Sequence, residues 1–417
     1  MANPSSQTSH RQMLLVLALL ISNISHVLDF VIMMPLAPLM MADFNISAVK
    51  FGYIVSVYTF AAAISSFASS FWIESVNRKR ALLGLLIGFA LGNFVCAQST
   101  SAEQLIIGRL VAGGFGGVIS AIVYSIIGEL IPLDVRGRVT GIIGMSFPLV
   151  SILGVPASLA IADIYGWRLA FIFVLIMSFI SMFLVTLFIP TIIPNASGFK
   201  LKRFFVPVQN AFRYSNHHLG FLTVVLTVLG GFTLVPYIAP FLINHQYIEN
   251  SDLSLVYLVG GICSMVSSRY IGIWADKSGK IYVLRWVLIA TMLAIAFFTN
   301  LPEGSFALVL VAVSCMTMFL PGRFVCVISY LTIIADPKNR STYMSLVSTL
   351  QQMAIGIATI IGGNLVGENA NGNFETFWLV GLFAIGSNAI ILAMTPKLAA
   401  LEQTAMTAAR QASQHNA

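Results

Sequence analysis

Asp29 is the only carboxylate placed well inside one of the long apolar stretches of this 417-residue sequence. A charged side chain at the centre of a lipid bilayer costs at least about 2.5–3.5 kcal/mol, so a residue retained there usually has a function. A dry site favours the neutral form of an aspartate, whereas a neighbouring arginine favours the charged form. We predict that Asp29 takes up and releases protons. The alternative is a structural acid that only accepts hydrogen bonds.

Two polar residues precede Asp29 at helical spacing. His26 lies one turn earlier on the same face, and Asn23 lies another turn back. Lipid would penalise this polar stripe, so we expect it to face a cavity. Histidine titrates near physiological pH. His26 could therefore assist proton transfer, although a polar group that only lines the cavity is the simpler interpretation.

Arg323 lies near the middle of another apolar stretch, directly after Pro321-Gly322. Its guanidinium is always charged and presents a fork of donors that matches carboxylates and phosphates. We place Arg323 with Asn23 and Asp29 in a predicted substrate cavity, where it would bind an anion. The alternative is a helix tie whose charge reaches toward the membrane surface.

The composition requires that most of the chain contact lipid. Hydrophobic residues make up 58% of the sequence and charged residues only 9%, against about a quarter charged in ordinary soluble domains. Apolar stretches of about 20 residues, long enough to cross a bilayer as helices, recur along the chain. Lipid offers no partners for unpaired backbone groups, and no alternating barrel pattern is present, so each stretch is predicted to be helical. The predicted spans are 13–37, 51–73, 81–98, 105–130, 139–162, 169–190, 219–244, 253–274, 281–300, 305–333, 341–365 and 376–396.

The basic residues predict the orientation of these spans. With the N-terminus in the cytoplasm, sixteen Lys and Arg residues fall in inside segments, and only Lys50 and Arg168 fall in outside breaks. This asymmetry is the positive-inside pattern. The net charge of +7 is therefore a topology signal, and a nucleic-acid partner is not expected. Both termini are predicted to be cytoplasmic.

The longest polar break, residues 191–218, divides the chain into two predicted bundles. Lys200, Lys202 and Arg203 stand there beside phenylalanines, which favours a segment at the membrane interface over a merely solvated loop. The predicted domains are 1–190, a six-helix bundle, then the cytoplasmic linker 191–218, and 219–417, a second six-helix bundle with a short cytoplasmic tail.

The two bundles are predicted to be copies of one unit, because a shift of 202 residues aligns similar residues without gaps. The aligned pairs are Glu74 with Asp276, Arg78 with Lys280, Asp134 with Asp336, Arg138 with Arg340, and Gly154 with Gly356. Six helices per copy preserve orientation, so the repeats are parallel. Transporters built in this way bind substrate near the bilayer midplane between the repeats.

The charged residues of this repeat lie at helix ends, where a carboxylate can hold neighbouring helices through charge-assisted hydrogen bonds. We predict that they form a conformational latch that opens when these bonds break. The alternative is that the charges only set the topology. The predicted latch residues are Glu74, Arg78, Asp276, Lys280, Asp134, Arg138, Asp336 and Arg340.

Several segments resemble signatures of the major facilitator superfamily. The segment GIWADKSGK at 272–280 resembles the family's cytoplasmic-loop motif, and SFWIESVNRK at 70–79 is a degraded copy of it. Residues 105–113, around Arg109, are similar to the arginine motif of the fourth helix. Gly154-Val155-Pro156 resembles the antiporter motif of the fifth helix, although its Gly-Pro pair is interrupted. The likeness is greatest to bacterial drug/proton antiporters and arabinose-efflux-like sugar permeases.

This resemblance implies the major facilitator fold of 12 transmembrane helices, a location in the bacterial inner membrane, and a role for Arg109 in coupling or gating. It implies a monomeric secondary transporter that exports a drug, sugar or metabolite by proton antiport. A proton symporter or uniporter that imports a small solute, an anion included, stays open as the alternative. The sequence shows no nucleophile–base motif, metal-ligand cluster or phosphate-binding GxxxxGK[ST] loop. Neither an enzyme nor a cofactor is expected.

Overall fold

A computed structural model describes residues 4–73, 76–191, 215–245, 247–302, 306–335, 340–369 and 374–415. The described chain is helical and contains 12 helices that are long and apolar enough to cross a membrane. The predicted all-α membrane fold with twelve spans is confirmed. The spans are Gln12–Ile32, Ala48–Ser69, Arg78–Ala97, Ala102–Leu130, Asp134–Tyr165, Arg168–Phe188, His217–Asn244, Asn250–Ser278, Lys280–Thr299, Phe306–Ile334, Thr342–Leu365 and Phe377–Thr404.

Several spans consist of more than one helical segment, so the α-helices of the described chain outnumber the spans. In chain order they are α1 (Pro4–Ile32), α2 (Ala37–Phe44), α3 (Ala48–Trp72), α4 (Arg78–Ala97), α5 (Ala102–Leu130), α6 (Leu133–Gly144), α7 (Ser146–Leu149), α8 (Val155–Tyr165), α9 (Arg168–Phe188), α10 (Ser215–Phe232), α11 (Ile238–Asn244), α12 (Leu253–Ser278), α13 (Lys280–Thr299), α14 (Phe306–Ile334), α15 (Arg340–Leu365) and α16 (Phe377–His415).

The first predicted span, 13–37, was too long at its C-terminal end. Helix α1 ends at Ile32, a turn occupies 33–36, and the short helix α2 follows. Proline lacks the backbone N–H that a helix interior needs, but it fits the first helical turn. Pro35 lies in the turn and Pro38 in the first turn of α2, so the two prolines account for the interruption.

Two other spans contain a change of helix type. In the fifth span, a π-helix at Val150–Gly154 joins α7 to α8. In the seventh span, a 3₁₀-helix at Val235–Tyr237 precedes α11. Segments of π-helix inside α-helices are frequent at functional sites. The π-helix ends at Gly154, the first residue of the motif that resembles the antiporter signature.

The chain forms two compact units. Unit 1 comprises Met1–Phe199 and Asn250–Leu258, and unit 2 comprises Lys200–Glu249 and Val259–Ala417. In unit 1, α5 packs against α3 and α4, while α9 packs against α1 and α4. In unit 2, α13 packs against α14 and α16, and α10 packs against α15 and α16. Residues 192–214 of the predicted linker lie outside the described residues, and the predicted domain boundaries stay a prediction.

Glycines on α5 allow it to approach α3 closely. A Cβ added at Gly113 would lie 2.9 Å from the Cα of Tyr58, and one added at Gly117 would lie 2.6 Å from the Cα of Ala62. Small residues let membrane helices come together at short distance, where van der Waals packing replaces the missing hydrophobic driving force. This packing fixes the position of α5 against α3, and with it the position of Arg109.

Gly113→Ala is expected to lower the stability of the protein by about 1–3 kcal/mol, because the added methyl group overpacks a helix contact. Gly114 is the matched control, since a Cβ there meets nothing within 4 Å. Gly114→Ala should leave stability unchanged or raise it by up to about 1 kcal/mol through helix propensity. Thermal unfolding of the two purified variants in the same detergent measures the difference. Equal melting temperatures would contradict the proposed close contact.

Candidate functional site

Asp29 and Arg109 form a buried ion pair inside unit 1. Arg109 Nη1 on α5 donates to Asp29 Oδ1 on α1 at 2.7 Å, and also to the Asp29 carbonyl oxygen at 3.4 Å. The two side chains are 0% and 1% exposed. Two of the three predicted coupling residues are thus in contact. A charge-assisted hydrogen bond of this kind is short and strong, and each charge compensates the other away from water.

Tyr58 on α3 contacts both members of this ion pair. Its ring lies below the Arg109 guanidinium, with 4.1 Å between Arg109 Cζ and the ring centroid, a geometry that gives a cation–π attraction. Its hydroxyl lies beside the Asp29 carboxyl group. Neither the Tyr58 hydroxyl nor Asp29 Oδ2 makes a well-formed hydrogen bond to a described residue, but the two side chains are close enough to interact with each other. One carboxylate oxygen therefore pairs with Arg109, and Tyr58 is a second neighbour of the same carboxyl group.

Two residues of the predicted polar stripe on α1 contact α5. Asn23 Oδ1 accepts a hydrogen bond from Ser120 of α5 at 2.7 Å, so Asn23 and Asp29 are both bound to the same neighbouring helix. His26 is partly exposed, and its Nδ1 has no hydrogen-bond partner among the described residues. Asn23 and Asp29 therefore lie in a packed helix contact within unit 1, and the substrate cavity stays a prediction.

Gly154 lies against α1, at the residue that precedes Asp29. A Cβ added at Gly154 would lie 2.9 Å from Leu28 Cδ1, which a side chain there would have to displace. Leu28 directly precedes Asp29. Pro156 follows in the first turn of α8. The two residues of the predicted antiporter motif thus frame the end of the π-helix, at a place where the fifth span contacts the helix that carries Asp29.

Arg323 is buried in unit 2, with 0% of the residue exposed. Its Nη1 donates to Asn388 Oδ1 on α16 and, at 3.2 Å, to the carbonyl oxygen of Gly230 on α10. Its Nε donates to the Leu320 carbonyl oxygen at 3.3 Å. Nη2 has no hydrogen-bond partner among the described residues. Asn388 also donates to the carbonyl oxygens of Gly230 and Ala384, so it holds the guanidinium in place.

The predicted latch has one ion pair that joins two helices. Arg78 Nε at the start of α4 donates to Glu129 Oε1 near the end of α5 at 2.8 Å, and the side chains are 9% and 34% exposed. Lys79 donates to the Thr186 carbonyl oxygen of α9 at 2.7 Å. The Arg78–Glu129 pair therefore ties the ends of two neighbouring helices.

The other predicted latch residues are less connected. Lys280 pairs with Asp276 across a single turn, and the Asp276 side chain is 73% exposed. Asp134 and Arg138 are exposed and form no ion pair with another described residue. Glu74 and Asp336 lie outside the described residues, and so does the side chain of Arg340, which begins α15. The latch stays a prediction, with Arg78 as its best-placed residue.

The two basic residues predicted on the outside, Lys50 and Arg168, each pair with an acid. Both pairs lie at the end of unit 1 that is remote from the Arg78–Glu129 pair. Lys50 binds Glu103 at 2.7 Å, and Arg168 binds Asp43 at 2.9 Å. Arg168 also stacks on Trp167, with 4.4 Å from its Cζ to the ring centroid. These bonds join the connections between spans one and two, three and four, and five and six. Their positive charge is thus neutralised locally.

Tyr58 and Asn388 are the site residues that sequence reasoning missed. A tyrosine in an apolar helix is common, and no local pattern connects Tyr58 to an arginine about fifty positions later. Asn388 could have been predicted as a site residue, because an amide within an apolar helix is costly unless it is hydrogen-bonded. Its partner Arg323 was already singled out by the same cost.

Comparison with known proteins places the chain in one family. The family model described as "Major Facilitator Superfamily" matches residues 19–359 and 220–411. The chain is 23% identical over 358 residues to "Uncharacterized MFS-type transporter YtbD" of Bacillus subtilis, covering 84% of this chain and 88% of that protein. It is 20% identical over 329 residues to a "Probable sugar efflux transporter" of Mannheimia succiniciproducens, covering 78% and 80%.

Solved structures share the fold. The nucleoside transporter NupG aligns with a TM-score of 0.73 and 15% identity, covering 92% of this chain and 98% of that one. A D-xylose-proton symporter aligns with a TM-score of 0.73 and 14% identity, covering 92% and 97%. The family match extends over nearly the whole of the twelve-span fold, and the chain therefore belongs to the Major Facilitator Superfamily of membrane transporters.

Proposed function

We propose that this protein is a proton-coupled secondary transporter that exports a small organic molecule by antiport and alternating access. The observation that carries the proposal is the buried Asp29–Arg109 pair, in which Arg109 is the one charged partner of the carboxylate among the described residues. When a proton replaces Arg109 at the carboxylate, Asp29 becomes neutral and needs no counter-charge. Arg109 then requires another anion or water to compensate its own charge. A conformational change that separates the pair would therefore change the proton occupancy of Asp29.

The energy available from such a step is sufficient for active transport. One proton that moves down a difference of one pH unit releases about 1.4 kcal/mol, which is equivalent to a tenfold concentration ratio of substrate. Coupling requires that proton binding and substrate binding change each other's free energy. His26 is partly exposed on the helix that carries Asp29, and it is the second candidate for relaying the proton.

The direction of transport is inferred from the partial antiporter motif and from the relatives. Gly154 and Pro156 lie at the end of the π-helix beside α1, and relatives named as probable sugar efflux transporters match most of the chain. Symport is the second candidate, because a D-xylose-proton symporter shares the fold. A sugar or another small metabolite is thus the first substrate class to examine.

Proteoliposomes with an imposed pH gradient test this proposal. An antiporter should accumulate an external substrate when the vesicle interior is acidic, because outward proton flow then drives uptake. A symporter should accumulate it only when the exterior is acidic. Radiolabelled D-xylose, L-arabinose, uridine and D-glucuronate are suitable first probes. Accumulation that is independent of both gradients would contradict proton coupling, and accumulation with the opposite gradient would assign symport.

We propose further that both termini, the 191–218 linker and the loops near Arg80 and Ser278 face the cytoplasm of a bacterial inner membrane. Single cysteines would be introduced into a variant without the four native cysteines. In intact cells, Ser278→Cys and Ser197→Cys should resist a membrane-impermeant thiol reagent, whereas Thr100→Cys should react. Ser278 and Thr100 are both exposed in the structure, so a difference between these two reports the side of the membrane. Labelling of Ser278→Cys in intact cells would reverse the proposed orientation.

A further inference from the structure

The charge of Arg323 has no carboxylate partner in the described part of the chain. Its contacts are to an amide oxygen and two backbone carbonyl oxygens, all of them neutral. The described acids of unit 2 lie near or beyond the ends of the membrane spans, whereas Arg323 lies in the interior of the span Phe306–Ile334. A buried charge without a partner of opposite sign is strongly unfavourable. Arg109 differs in this respect, because Asp29 compensates it at 2.7 Å.

Glycine at position 231 allows the unpaired donor of Arg323 to approach the backbone of α10 closely. A Cβ added at Gly231 would lie 2.7 Å from Arg323 Nη2. The repeat shift of 202 residues aligns Gly231 with Asp29, because 29 plus 202 is 231. The position that supplies the carboxylate in unit 1 thus corresponds to a glycine in unit 2. The arginines themselves are not repeat equivalents, since 109 plus 202 gives Val311.

The backbone next to this position also departs from regular helix. Helix α10 ends at Phe232, and a turn at 233–234 leads into the 3₁₀-helix Val235–Tyr237. Discontinuous helices in transporters line binding sites for ions and polar substrate groups. Arg323 Nη2 therefore lies beside a break in a membrane helix, with the guanidinium held through Nη1 by Asn388 and Gly230.

We propose that Arg323 Nη2 binds the carboxylate of the transported molecule, so that the substrates are small organic acids. The bound carboxylate accepts a hydrogen bond from Nη2 and compensates the buried charge. Asn388 is a positioning residue, because it orients the guanidinium through Nη1. This inference rests on the proposed transport function for its biological meaning, but it concerns recognition by unit 2 and not proton coupling by Asp29.

Thermal unfolding of the purified protein without any pH gradient tests recognition separately from coupling. The probes are matched pairs, D-glucuronate with D-glucose and nicotinate with nicotinamide, in a chloride-free buffer of constant ionic strength. At a concentration about ten times the Kd, the carboxylate of a pair should raise the melting temperature by about 2–4 °C, and its neutral partner should not. An equal rise with neutral partners, an equal rise with sodium chloride alone, or no rise with either carboxylate would overturn the assignment.

Gly231→Asp provides the decisive variant, since it places a carboxylate beside Arg323 as Asp29 stands beside Arg109. The nearest atom to the new Cβ is the end of the flexible arginine side chain, which can move to accept it. This variant should lose the preference for carboxylates, whereas Gly231→Asn, with the same volume and no charge, should retain it. A preference retained by Gly231→Asp, or lost equally in Gly231→Asn, would contradict the proposal.

The two proposals can fail independently of each other. A protein that shows the carboxylate preference but no transport driven by a pH gradient contradicts only proton coupling. A protein that accumulates D-xylose under a pH gradient but shows no carboxylate preference contradicts only this assignment. If Gly231→Asp does not fold, Arg323→Lys gives the same decision. It keeps the charge but loses the guanidinium fork, and it should reduce the rise in melting temperature by at least half.

Discussion

Asp29→Asn is expected to abolish substrate accumulation driven by a pH gradient, while exchange of substrate down its own gradient persists. Asparagine has the volume of a protonated aspartic acid and can still accept a hydrogen bond from Arg109, but it cannot titrate. A carrier that binds substrate without exchanging a proton has lost the linkage between the two gradients. The dependence of substrate release on pH near neutrality should disappear with it.

The measurement compares accumulation and counterflow in the same proteoliposomes. Wild-type protein should show both, and Asp29→Asn should show counterflow alone, with accumulation reduced to the ratio set by passive equilibration. Glu103→Gln is the matched control. It removes an exposed carboxylate in the first turn of α5, which pairs with Lys50. It should retain accumulation. An Asp29→Asn variant that still accumulates substrate with wild-type pH dependence would show that the proton moves elsewhere, with His26 the next candidate.

The number and type of the membrane helices could be predicted because both depend on local composition. Each apolar window of about 20 residues crosses the bilayer whatever the rest of the chain does. The end of the first span was missed for a local reason as well. The prolines at 35 and 38 lie in an uninterrupted apolar run, and hydropathy alone does not register their missing N–H groups. The break at 33–36 follows from backbone chemistry and not from polarity.

The sequence could predict which charged residues belong to the site, but not which residues they contact. The cost of burying charge singled out Asp29 and Arg323 from the sequence alone. That Asp29 pairs with Arg109, 80 residues later, depends on the rotation of α1 about its axis and on the close approach of α5 to α3 at Gly113 and Gly117. Rotation is set by packing against several neighbours at once. For the same reason the contact of Arg78 with Glu129 could not be read from the sequence.

Arg109→Gln is expected to destabilise the protein by about 3–5 kcal/mol, because it leaves the Asp29 carboxylate buried without its compensating charge. The loss should grow as the pH rises, because the unfolded chain then gains more from ionising Asp29 than the folded variant does. Removing both charges removes this penalty. The double variant Asp29→Asn with Arg109→Gln should therefore be more stable than Arg109→Gln alone, and its stability should not depend on pH in the same range.

A double-mutant cycle of thermal unfolding at several pH values measures this coupling. Arg269→Gln is the control, because Arg269 is exposed on α12 and its loss should change stability by less than about 0.5 kcal/mol. A coupling energy between Asp29 and Arg109 near zero would mean that the pair contributes nothing to the folded state beyond its two separate burial costs. In that case Tyr58, whose ring lies 4.1 Å from Arg109 Cζ, would be the principal partner of the arginine. Arg109→Gln should then lose stability equally at every pH, and Asp29→Asn should not restore it.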